Sequence, residues 1–143
     1  MRLASCFLAL LILQVAGQLG AQGPPAPVIS NFTVRPASGQ PDVRIGDDAI
    51  MEFEYAHVAG GFAKTIVEVE LCVAGTKICF PSTDWKLSES DLAKYPDDSG
   101  KVILRRRTTG TRNQDLLYEL RLTDAQGRKA SAKTTEPLRL RVR

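Results

Sequence analysis

The sequence predicts an all-β protein: a two-sheet antiparallel sandwich of about seven strands with one short connector helix. Three observations carry that expectation. Apolar side chains recur at every second position in run after run, as in Met51, Phe53 and Tyr55 against Glu52 and Glu54. Clusters rich in Gly, Pro and Asp separate those runs at short intervals, the punctuation of an all-β chain. A length of 143 residues with 43% hydrophobic and 24% charged content suits one globular domain and excludes coiled coil, collagen or a disordered tail.

In chain order, Arg2, the apolar run Leu3 to Leu13 and the small residues Ala16, Gly17, Gly20 and Ala21 have the layout of a secretory signal peptide. Residues 1–21 are therefore set apart from the fold. No stable membrane span is expected once they are cleaved, because Gln14 and Gln18 interrupt a run already shorter than the roughly 20 apolar residues a bilayer requires. Residues 22–27 hold three prolines and a glycine and form a stiff leader. The domain then occupies 28–143.

Strands are expected at Val28 to Arg35, Ala49 to Tyr55, Thr65 to Val73, Lys77 to Phe80, Lys101 to Arg107, Leu116 to Thr123 and Leu138 to Val142, with a weaker one at Ala130 to Thr134. In the better ones, each strand has one dry and one wet face, the signature of antiparallel rather than buried parallel sheets. Packing the dry faces together satisfies all of them at once. Ser88 to Tyr95 is the one helix candidate: Ser88 caps it, Asp91 sits at the third helical position, and Pro96 ends it.

The expected export implies an oxidising compartment, and after cleavage Cys72 and Cys79 have only each other to pair with in the chain. A two-residue turn at Gly75-Thr76 sets Cys72 opposite Cys79, within disulfide reach. The bond reads as a staple, since a redox or metal pair needs C-x-x-C spacing or further ligands.

Pro27-Val28-Ile29-Ser30 followed by Phe32-Thr33-Val34, then Ile45-Gly46-Asp47 leading into Ala49-Ile50-Met51-Glu52-Phe53, resembles the first two strands of bacterial immunoglobulin-like domains. Tyr118 to Arg128 is similar to their penultimate strand and the turn after it. The resemblance spans most of residues 27–143 and implies a seven-stranded Greek-key sandwich. It implies no ligand, because such sandwiches serve many purposes. It also implies that the Glu68 and Glu70 strand neighbours that of Glu119 and Arg121, which neighbours that of Arg139, Arg141 and Arg143. Glu52 and Glu54 would then face Arg105 and Arg107, giving cross-strand charge pairs on the wet faces.

The functional expectation is an exported binding or structural module, periplasmic or secreted, without enzymatic activity. His57 is the only histidine, reads as a solvated loop residue, and has no nucleophile motif to serve. Asp47-Asp48 and Asp97-Asp98 sit in turns where Asp bonds the local backbone, so no metal and no cofactor are expected. Removing residues 1–21 takes away Arg2 alone of the 19 basic residues and leaves a net charge of +2, too small to indicate nucleic acid. A protein partner in the envelope or extracellular space is expected, with an acidic polysaccharide as the other possibility. The candidate binding residues are Arg139, Arg141 and Arg143 as a basic stripe on the last strand. Phe62, Trp85 and Tyr95 are candidate stacking rings for a carbohydrate.

Overall fold

A computed structural model describes residues 25–143. The expected signal segment and the first half of the leader lie outside the described residues. The strands are β1 (Val28–Pro36), β2 (Asp42–Arg44), β3 (Asp48–Ala56), β4 (Ile66–Val73), β5 (Cys79–Pro81), β6 (Ser99–Arg107), β7 (Gln114–Thr123), β8 (Lys129–Lys133) and β9 (Leu138–Arg141). One sheet has the order β1-β3-β6, and the other runs β2-β9-β7-β4-β5 with β8 also on β7.

These nine segments make seven strands. β4 pairs with β7 along Leu116 to Thr123, so β8 and β9, bound to successive stretches of β7, share its other edge. They are one strand broken at residues 134–137, where the Thr134 N–H donates to the Tyr118 carbonyl and the Tyr118 N–H donates to Thr134 Oγ1, both 2.9 Å. Similarly, β1 and β2 are one strand that changes sheets through residues 37–41. β2 was not expected, and it is parallel to β9. It is the one parallel pairing among the described residues.

Alternation governs the packing as expected. Met51, Phe53, Val67, Val69, Tyr118, Leu120 and Leu140 all belong to one buried cluster. Each of the largest contributes about 1.5–3 kcal/mol by leaving water. The segment after β5 and the turn Phe62–Lys64 between β3 and β4 bury large rings against the sandwich, and here the structure corrects two of the expected stacking rings. Trp85, 4% exposed, sits edge-on to Tyr118 with ring centroids 6.2 Å apart. Phe62, fully buried, stacks on Tyr55 at 4.0 Å. Tyr95 lies half-buried, edge-on to both Tyr55 and Phe62. Large rings in an all-β core are drawn inward by their area, and these three present no flat exposed row. The helix, α1 (Glu89–Leu92), has the expected Ser88 and Asp91 capping box and directs Leu92 inward.

Two local expectations shift. Thr76 N–H donates to the Val73 carbonyl, so the hairpin turns on Ala74-Gly75, one residue earlier than expected, with Gly75 at φ 76°. A positive φ at the second central residue calls for glycine. The register survives: Cys72 opposes Cys79, and the two are disulfide-bonded. On the three-stranded sheet, Glu52 opposes Ile103 and Glu54 opposes Lys101, four residues away from the antiparallel register that would set them against Arg107 and Arg105. Glu52 is instead paired with Lys101 and Arg35, and Asp48 takes Arg105 and Arg107.

Candidate functional site

The chain turns sharply between β2 and β3. Gly46, at φ 95°, permits it, and Asp47 N–H donates to the Arg44 carbonyl at 2.9 Å. Thr108, just past β6, locks this turn: its hydroxyl lies 2.9 Å from the Asp47 carbonyl and 3.2 Å from that of Arg44, and its N–H donates to Asp47. Ile45 N–H donates to the Arg141 carbonyl on β9. The end of β2, the end of β6 and the chain's last residues are thereby held together, and a groove of about 940 Å³ opens between them.

Arg44, Arg105, Arg107, Arg141 and Arg143 line this groove, with Asp42, Asp47 and Asp48. Each carboxylate is engaged. Asp48 lies 2.7 Å from Arg105 Nε and 3.9 Å from Arg107 Nε, Asp42 lies 3.7 Å from Arg141 Nε, and Asp47 holds Arg143. Arg141 also bonds Asp115 at 2.8 Å, which, with the charges of Asp115 and Asp42, raises the guanidinium pKa further above its ordinary value. The aspartates orient the guanidinium groups without neutralising the wall. Arg44 is exposed, has no acidic side chain within 4 Å among the described residues, and stays free to pair outward. Planar guanidinium groups suit bidentate recognition of carboxylates.

The structure brings Arg141 and Arg143 of the expected stripe into this groove and leaves Arg139 on the outer sheet face, exposed and opposite Asp115 and Asp42. The stripe is therefore split. Arg44, Arg105 and Arg107 join the site from segments that the sequence treated as separate. The metal-like grouping of Glu70, Cys72 and Cys79 is spent on the disulfide.

His57 departs from its expected place in solvent. Its side chain is 1% exposed, and Nε2 lies 3.4 Å from Asp124 Oδ2, which is equally buried. Gly61 covers the ring so closely that a Cβ there would stand 2.5 Å from Cδ2. Nδ1 has no hydrogen-bond partner. Burial pushes the Asp124 pKa up, but the backbone N–H and guanidinium of Arg128 and the N–H of Gln126 outweigh it and hold the carboxyl below its ordinary value. The pair joins the loop after β3 to the turn after β7.

No family model and no curated protein matches the chain. Among solved structures it is similar to the alkylpurine DNA glycosylase AlkC of Pseudomonas fluorescens bound to DNA containing an abasic site analogue, at 13% identity and a TM-score of 0.41. It is also similar to Spo0M, a sporulation control protein of Bacillus subtilis, at 8% and 0.45, and to a superoxide reductase (neelaredoxin) of Ignicoccus hospitalis, at 7% and 0.40. The matches cover 81%, 83% and 82% of this chain and 30%, 51% and 81% of those chains. The chain thus spans about a third and about half the length of the first two. The expectation of a protein without enzymatic activity is corrected here. A DNA glycosylase stands among the similar structures, so that expectation is withdrawn, while a likeness this distant assigns no chemistry to the chain.

Among the described residues, no helix is long and apolar enough to cross a membrane. The disulfide is consistent with an oxidising compartment.

Proposed function

We propose that this chain is an exported immunoglobulin-like module that engages an acidic protein partner in the cell envelope through its arginine-walled groove. The carrying observation is the groove itself, where five guanidinium groups from three parts of the fold meet three carboxylates. Such an excess attracts an acidic surface and speeds encounter with it. The strand order supports the immunoglobulin-like part of the reading: β1-β3-β6 faces β5-β4-β7 and the β8/β9 strand, an arrangement found in such sandwiches. The signal-like first 21 residues and the disulfide support export.

The test is capture from an envelope extract with the protein immobilised, comparing it with the double variant Arg44→Glu, Arg107→Glu. A stoichiometric protein partner is expected at about 0.1 M salt, greatly reduced at about 1 M, where the screening length shrinks from about 10 to about 3 Å. The variant should lose it. Recovery of the same partner by the variant, or of acidic polysaccharide alone, would overturn the reading.

A further inference from the structure

At the opposite edge of the larger sheet, β5 is an end strand held to β4 over three residue pairs. Phe80 opposes the core residue Leu71, so it lies on the dry side of the sheet, yet it is 41% exposed. Ile78, two residues earlier and on the same side, is 62% exposed. The three-stranded sheet does not reach over them. Two hollows of about 450 and 540 Å³ flank this overhang. The first is floored by Leu71, Phe80 and Leu116 and the second by Val73 and Ile78; Arg112 lines both, beside Asp84 in the first, which accepts from the Thr109 hydroxyl, and Asp115 in the second, which is paired with Arg141. Arg112 has no acidic side chain within 4 Å among the described residues.

The backbone along this edge is also open. The Ile78 carbonyl accepts from Val73 N–H, and Ser82 N–H donates to the Val69 carbonyl, so the even-numbered residues turn their polar groups toward β4. The N–H and C=O of Cys79 and the C=O of Pro81 therefore face outward. Cys72–Cys79 fixes this short edge in place.

We infer that the β5 edge is a second docking surface, built for an extended segment of a partner protein that lays apolar side chains over Phe80 and Ile78 and an acidic one against Arg112. Main-chain pairing at Cys79 sets the segment's direction, and the hollows select its side chains, the division of labour of strand addition. A second copy of the chain does not fit this edge. Residues 74–82, which a copy would pair against this edge, carry Lys77 and no carboxylate for Arg112. Arg141 lines both the second hollow and the arginine groove, whereas Phe80, Ile78 and Arg112 belong to the β5 edge alone, so variants at these three test this surface without touching the groove.

The probe is the capped heptapeptide acetyl-Glu-Ile-Glu-Phe-Glu-Ile-Glu-amide, with a control in which every Glu is Lys, titrated into the 15N-labelled protein. Shifts are expected at the amides of Cys79, Phe80 and Arg112 with the glutamate peptide and not with the lysine one. Phe80→Ser and Arg112→Glu should each weaken binding about tenfold, the factor one lost buried contact produces. Should Phe80→Ser fold poorly, Ile78→Lys, at a more exposed position, gives the same readout. Absence of binding, or binding indifferent to these variants, overturns the inference. So does self-association in the absence of peptide that Phe80→Ser abolishes, since the occupant would then be a second copy.

Discussion

At the scale of single residues, the buried His57 and Asp124 pair shows how much depends on one glycine. Gly61 leaves the room that the imidazole fills, and Gly61→Ala forces a methyl group against the ring. Overpacking of this kind costs about 1–3 kcal/mol, and the urea midpoint should fall accordingly. Asp124 carries a pH dependence whose sign is fixed. Its pKa in the folded state lies below the ordinary 3.8, so its stabilisation is complete above that value and is lost as pH falls through the folded pKa. Asp124→Asn should therefore lower stability at neutral pH and flatten the acid limb of the stability profile, as read by denaturant unfolding between pH 2 and 7. An unchanged acid limb would remove Asp124 from that role. None of this was legible in the sequence. His57 sits among Gly and Ala in a loop, and the carboxylate it pairs with lies 67 positions away in another loop.

At the scale of elements, alternation revealed the faces of the strands but not their register. A shift by an even number of residues leaves every side chain on the same face, which is why Glu52 and Glu54 could be assigned to the wet face while their partners were misplaced by four positions. β2 escaped notice for a related reason: Asp42-Val43-Arg44 holds one apolar residue, too few to show a period. The Cys72–Cys79 pairing was legible because the expected cleavage leaves only these two cysteines, and the register with Cys72 opposite Cys79 holds although the turn lies one residue earlier. The bond closes a loop of eight residues, worth about 2–3 kcal/mol. Because the disulfide joins an edge strand to the sheet, the Cys72→Ser, Cys79→Ser variant should keep its β-sheet circular dichroism and lose amide protection first in β5 and the outer edge of β4. Uniform loss of protection would mean that the staple supports the whole sandwich.

At the scale of the whole molecule, the sheets differ in width, and both proposed surfaces follow from that. The wider sheet projects past the narrower one at β5, leaving Phe80 and Ile78 uncovered. On the other edge, the first strand crosses between the sheets, and the crossing gathers arginines from β2, β6 and the last residues. The sequence showed the arginines of the last strand as a stripe; it could not show that the chain's path would split them and add Arg44, Arg105 and Arg107. The wet faces are otherwise balanced. Arg121 bridges Glu70 and Glu119, which oppose each other across β4 and β7, so charge collects at the groove rather than across the sheet.

The most direct test of the groove is an NMR titration of the 15N-labelled protein with poly-glutamate at low salt. Shifts should concentrate at Arg44, Gly46, Arg107 and Arg141 and disappear at about 1 M salt, where screening is nearly complete. Shifts scattered evenly over the basic residues, or absent from these four, would contradict the account.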